Sequence, residues 1–204
     1  MQEEYKIHIE FENKEIPDTV LLEVSKLYFK LLEKKFDEAE VKKRIANKFT
    51  ETREFYDSWR STWIGVKGVA GFYLVNAQKE YKNEKQQIEI GIEPDISETE
   101  FMKYTDFFGK LPPTAKVSAG TAYQFDGDYS MAKIRQVTVF PKQEVEKYGE
   151  ECLLNFKNAY LIKKLQNGSI LIWIGKPMEN EIFTDITKAA EKLKKHISKC
   201  ETNK

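Results

Sequence analysis

The sequence predicts an α+β fold, a mostly antiparallel sheet covered by helices in a single domain spanning 1–204. Three observations predict it. Residues 5–12 and 87–93 alternate apolar and polar side chains with a period of two, as half-buried strands do. Asn167-Gly168, between two β-rich runs, marks a hairpin. Apolar stripes at helical spacing run through 20–31 and 182–197. Hairpins outnumber crossover units, which argues against a doubly wound parallel sheet.

Tyr5, Ile7, Ile9 and Phe11 share one face of the first strand, and Lys6, His8, Glu10 and Glu12 share the other. After Ile16-Pro17, Asp18 is placed to cap a helix. Its stripe is Val20, Val24, Leu27 and Leu31, flanked by Leu21, Tyr28 and Leu32, and it runs to about Lys35. The highly charged stretch 37–57 reads as helical. Residues 58–77 are a loop followed by a strand, or a buried helix; their periodicity does not decide. Ile88, Ile90 and Ile92 point inward from the next strand. Ser97-Glu98-Thr99-Glu100 forms a capping box for a helix to about Phe108. Gly109 suits a left-handed helix end, and Pro112-Pro113 forbid continuation.

Residues 116–125 and 133–140 read as paired strands joined by turn chemistry at Phe125-Asp126-Gly127-Asp128. A short helix then runs through about Cys152. Residues 158–165 and 169–174 form a hairpin around Gln166-Asn167-Gly168, with Asn-Gly suited to a type I′ turn. A final helix carries Ile182, Ile186, Ala189, Ala190, Leu193 and Ile197. The first part, about 1–80, is expected to be helix-rich and the second, about 86–198, strand-rich. The charged run 79–87 separates them.

Composition narrows the function classes. Hydrophobic residues are 41% and aromatics 13% of the 204 residues, enough for a folded core. Lys+Arg and Asp+Glu are both 33, so the basic excess of a nucleic-acid binder is missing. Arginine, the preferred bidentate reader of phosphate and guanine, occurs only at Arg44, Arg53, Arg60 and Arg135. Neither a secretory signal nor a membrane-spanning run is expected, so a cytoplasmic protein is. Cys152 and Cys200 are then expected as reduced thiols.

No catalytic, metal or cofactor motif emerges. There is no CxxC pair. Of the two histidines, His8 falls on the polar face of a strand. His196 falls in the last turn of a helix, where a cation complements the dipole. Gly65, Gly68 and Gly71 have GxxGxxG spacing, which is neither phosphate-loop fingerprint, and they read as a tight turn beside Trp59 and Trp63.

Two surfaces remain as binding candidates. Residues 55–63 pack four rings and an arginine into nine positions, and Trp, Tyr and Arg are the types enriched at interface hot spots. Trp59, Arg60 and Trp63 are therefore partner-binding candidates, the alternative being that both tryptophans lie in the core. Residues 89–106 carry Glu89, Glu93, Asp95, Glu98, Glu100 and Asp106 against Lys103 alone, and Asp126 and Asp128 add an acidic turn. This is either a solvated face with acids at a helix start, or an acidic docking patch for a basic protein. In the second case Glu93, Asp95, Glu98, Asp126 and Asp128 bind the partner.

Three stretches resemble a known family: YDSWRSTWIGVKGVAGFYL, FFGKLPPTAKVSAGTAYQF and NAYLIKKLQNGSILIWIG with the helix that follows. They are similar to the small cytosolic α+β immunity proteins that bacteria encode beside polymorphic or type VI-secreted toxins. The resemblance implies a non-catalytic protein that binds and neutralises one cognate toxin, without cofactor, nucleic acid or membrane. It assigns no individual residue a role. Two other readings fit the residues: a hydrolase built on carboxylate acid/base pairs, and a scaffold that self-associates as a homodimer through the 59–63 segment.

Overall fold

The computed structural model describes residues 5–11, 15–49, 53–56, 59–77, 86–92, 97–121, 135–175 and 183–202; for 53–56, 59–60, 76–77, 121, 183–186 and 201–202 it describes the backbone alone. These residues form helices and strands in the α+β class expected. Every strand pair whose register is described is antiparallel. The chain gathers into two compact units, His8–Gly91 and Met1–Ile7 with Ile92–Lys204. The boundaries lie within one strand and at the end of another, where the composition does not change.

In the unit His8–Gly91, β1 (Tyr5–Glu10) enters from its second half and α1 (Asp18–Leu31) follows. Pro17 occupies the cap position without a side-chain bond. Asp18 therefore lies inside the first turn, where the dipole favours its charge, and it pairs with Lys48. The buried face of α1 is Leu21, Val24, Ser25, Tyr28 and Phe29, which keeps Val24 of the expected stripe and is rotated from Val20, Leu27 and Leu31 toward the flanking Leu21 and Tyr28. Two rings account for the rotation. Tyr28 meets Phe72 at 6.3 Å and Phe29 meets Phe36 at 5.3 Å, both edge-on, and aromatic rings bury more area than leucine or valine.

The helical reading of 37–57 holds only for α2 (Glu38–Ala46), which Asp37 caps by accepting from the Glu40 N–H at 3.0 Å. The helix stops because Phe49 takes a positive φ of 62° and donates its N–H to Thr62 Oγ1 at 2.7 Å. The chain then enters β2 (Arg53–Tyr56), β3 (Trp59–Val66) and β4 (Ala70–Ala77). Residues 59–77 of the undecided stretch are thus a hairpin, and the described residues of 1–80 hold two helices and four strands rather than the helix-rich part expected. Next to β4 lies β5 (Gln86–Ile92), giving the order β2-β3-β4-β5 with β1 beyond β5. Ile88, Ile90 and Ile92 are buried as expected. His8 is also buried, 3.5 Å from Glu89, not solvated as its place on the polar face suggested, while Lys6 and Glu10 on that face are half-buried.

In the other unit, Ser97 and Glu100 form the predicted capping box of α3 (Glu98–Phe108). Gly109 ends this helix in right-handed geometry (φ −68°), not the left-handed form expected. The helix end is closed instead by Asn167, whose side-chain amide donates to the Phe108 and Leu111 carbonyls at 3.1 and 2.9 Å. β6 (Lys116–Thr121) and β7 (Val137–Phe140) pair as expected, with Val117 opposite Val139. α4 (Lys142–Tyr148) and α5 (Glu150–Leu154) replace the single short helix, because Gly149 at φ +90° breaks the chain between them. β8 (Leu161–Lys164) and β9 (Ile170–Trp173) form the predicted hairpin. Its turn places only Gly168 at positive φ. With Gly168 N–H to Leu165 O and Leu165 N–H to Ser169 O, it is a three-residue loop with a glycine bulge rather than type I′.

Trp173 is fully buried at the centre of this unit, 4.9 Å from Phe101 and 5.4 Å from Tyr160. A second cluster joins Phe140, Val145, Leu153, Phe156, Ile172 and Leu193, with Leu193 supplied by α6 (Phe183–Thr202). The cysteines are not reduced. α5 and α6 bring Cys152 and Cys200 to a Cα separation of 5.9 Å and a disulfide joins them. A sequence separation of 48 hid this proximity.

Two predictions follow from these contacts. A disulfide closing so long a loop contributes roughly 2–4 kcal/mol, mostly by restricting the unfolded chain. Cys152→Ser should lose that amount in urea unfolding, and a thiol reductant should take the same amount from the native protein. Burial pushes the Tyr104 phenol up to about 12, with Glu100 adding to the rise, and burial also raises Tyr5. The stability held by a protonated Tyr104 is complete below its unfolded value of 10.0 and is lost as pH rises through about 12. Urea midpoints should therefore be flat from neutrality to about pH 9 and fall beyond it, less steeply in Tyr104→Phe.

Candidate functional site

The β3–β4 register fixes what its faces present. Eight consecutive pairs run from Trp59 opposite Ala77 to Val66 opposite Ala70. Alternation buries Thr62 and Ile64 on β3 and Phe72 and Leu74 on β4. Trp63 and Tyr73 are direct partners and so share one face. Trp63 is half-buried and Tyr73 is 40% exposed.

Gly71 determines how the Trp63 ring lies. A Cβ at that position would stand 2.5 Å from Trp63 Cε2 and Cζ2 and 2.6 Å from the Ile64 carbonyl oxygen. The indole therefore packs on bare backbone, which is the reason for a glycine here. Gly68 serves the turn instead: its φ is +73° and nothing lies within 4 Å of its missing Cβ. The tight-turn reading of these glycines thus holds for Gly68, and the close-packing reading holds for Gly71.

Beside this aromatic pair, a cleft of about 680 Å³ opens between α2 and the hairpin. Lys43, Arg44 and Asn47 line it from α2, Ser61, Thr62 and Trp63 from β3, Lys67 and Gly68 from the turn, and Tyr73 from β4. Among the described residues, three cations and no carboxylate line it. Arg44 is oriented by its Nε–H bond to Glu40 at 3.0 Å, one helical turn earlier. Lys43 and Lys67 are exposed and form no salt bridge among the described residues. The cleft is therefore electropositive, with an aromatic wall and the polar groups of Asn47 and Ser61.

The predicted residues divide. Trp63 lines the cleft. Trp59 and Arg60 belong to β3, where Arg60 pairs with Glu54 and Asn76 on the neighbouring strands; their side chains lie outside the described residues. Glu93, Asp95, Asp126 and Asp128 lie outside the described residues altogether. Glu98 opens α3 in the other unit, exposed, and accepts a hydrogen bond from Tyr160 Oη at 2.6 Å.

Other carboxylates of the acidic stretch are held locally. Asp106 pairs with Lys163 at 3.2 Å and Glu89 faces His8. The Ser97 hydroxyl and N–H hold the Glu100 carboxyl below its ordinary range. Glu98, Glu100 and Asp106 thus start α3 and tie it down, whereas Glu89 serves β5.

The sequence reading passed over Lys43, Arg44, Lys67 and Tyr73. A lysine beside a turn glycine and a basic last turn of α2 were visible, but nothing in the sequence placed them around one space. It also passed over a trio of metal-type donors. Cys152, His196 and Cys200 offer donor atoms that all lie within 4.8 Å of one another. His196 is not in the last turn of α6; its Nε2 lies 2.7 Å from the Cys152 carbonyl oxygen.

No family model and no curated protein matches the chain. Among the described residues no helix is long and apolar enough to cross a membrane.

The packing of Trp63 on Gly71 is testable. Gly71→Ala should displace the ring, shift tryptophan emission to longer wavelength and destabilise by roughly 1–3 kcal/mol, as overpacking does. Gly68→Ala should cost about 1 kcal/mol through its backbone alone and leave the emission unchanged.

Proposed function

We propose that this chain is a non-catalytic binding protein of the immunity type, which neutralises a cognate bacterial toxin by seating the α2/β3–β4 cleft on it. The observation that carries the reading is the Trp63–Tyr73 pair, partly exposed and bordered by Lys43, Arg44 and Lys67. Aromatic rings of this kind supply large contact area at low entropic cost, and arginine supplies directed bonds. The positive lining reverses the charge expected of the partner: the surface it offers to this cleft is acidic. Cations around the rim then steer association and fix orientation, while the rings supply most of the affinity.

The test pairs the purified chain with the product of the gene beside its own. The expected result is a 1:1 complex on size-exclusion chromatography and restored growth when both are co-expressed. Trp63→Ala should weaken binding by at least about 30-fold, the scale of a hot-spot residue. Lys67→Glu should slow association and flatten its salt dependence. Absence of a complex with the neighbouring product, or full affinity in both variants, overturns the reading.

A further inference from the structure

The geometry points to a metal site in the reduced protein: with the disulfide opened, Cys152, Cys200 and His196 bind one zinc-type divalent cation and leave its fourth position to water. The site is separate from the cleft and does not depend on it.

Three features support this. His196 and Cys200 are four residues apart on α6, so they project from one face one turn apart, the spacing by which helices present paired metal ligands. Cys152 faces them from α5. Tetrahedral zinc with bonds of about 2.3 Å to sulfur and 2.0–2.1 Å to nitrogen needs donors about 3.5–3.8 Å apart. The three residues here offer donor atoms within 4.8 Å of one another, about 1 Å beyond that spacing.

The third feature is the histidine tautomer. A backbone carbonyl only accepts, so the 2.7 Å contact to the Cys152 oxygen requires a proton on Nε2. In the neutral ring the lone pair is then on Nδ1. Metal-bound histidines are held in this way, with one nitrogen on the ion and the other donating to a carbonyl or carboxylate. Phe156 stands 5.3 Å from the imidazole and closes one side with an apolar wall, and Cys200 is buried. Soft thiolates with one imidazole form a donor set that selects zinc over calcium or magnesium.

The chemistry balances in two steps. A dithiol reductant gives two electrons and two protons to the Cys152–Cys200 bond and becomes a disulfide itself. The cation then replaces the two thiol protons, which go to solvent. Disulfide and metal exclude each other, because both use the same two sulfurs.

The test titrates Co²⁺ into the full chain, once oxidised and once reduced anaerobically and freed of reductant. The expected result is one Co²⁺ per reduced chain, with a thiolate-to-cobalt charge-transfer band and the visible bands of tetrahedral coordination. The oxidised chain should show none, and Zn²⁺ should displace the cobalt. His196→Asn keeps both thiols and should bind at least about tenfold more weakly, and Cys200→Ser should lose the charge-transfer band or most of it. No uptake by the reduced chain, the same spectrum from the oxidised chain, or undiminished binding by His196→Asn overturns the site. The comparison of oxidised with reduced native protein needs no substitution, so a variant that fails to fold does not rescue the proposal.

Discussion

The register of the β3–β4 hairpin is the constraint on which the His8–Gly91 unit depends. Strand side chains alternate with a period of two, so a slip by one residue would turn Ile64, Phe72 and Leu74 outward and Trp63 and Tyr73 inward. That exchange would remove the surface on which Tyr28 of α1 packs, since its ring rests against Phe72. It would also move Thr62, whose hydroxyl accepts the Phe49 N–H and so fixes where α2 ends. The same alternation that builds this core presents the aromatic pair at the cleft. Fold and candidate site are here two faces of one register, and Gly71 serves both, by letting the indole lie flat and by keeping its own pairing with Gly65.

In the other unit the equivalent position is held by Trp173. It is central because β9 has neighbours on both sides, β7 and β8, so neither edge of the strand meets solvent. Phe101 reaches it from α3, and Tyr160 reaches it from just before β8. The start of α3 is then fixed from outside this core, through the Ser97–Glu100 box and the Tyr160 bond to Glu98, and its end is fixed by Asn167. Two features that look like surface chemistry in the sequence, an acidic helix start and an Asn-Gly turn, are thus joints between α3 and the β8–β9 hairpin.

What was legible in the sequence is what local pattern determines. The alternating strands β1 and β5, the capping box of α3, the β8–β9 hairpin and the stripe of α6 each follow from residues within one element. The failures arise where a distant partner decides. Aromatic packing with Phe72 rotated the buried face of α1, and a bond to Thr62 ended α2. Asn167 suits a type I′ turn by its backbone preference, yet it is used for its side-chain amide on α3, which leaves Gly168 alone at positive φ. Gly109 needed no left-handed geometry once that amide closed the helix. Of the candidate site, Trp63 was legible from its chemistry, whereas the cations around it come from α2 and the turn and share no sequence signal with it.

The cysteines show how far this reasoning extends. Leu193, His196 and Cys200 lie along one face of α6, and it is this face that meets α5. Among the described side chains of α6, Ala189, Ala190 and Ile197 are half-buried beside the fully buried Leu193. A bond at the far end of the helix adds to this packing in keeping α6 docked. The disulfide provides one by restricting the unfolded chain. A cation on the same three donors would provide one by binding the folded state alone, with stabilisation that grows with the ratio of free metal to its dissociation constant. The two bonds hold the same helices at the same place and respond to opposite conditions. Reduction would then exchange one tether for the other without freeing α6, and the Nε2 contact to the Cys152 carbonyl is the part common to both states.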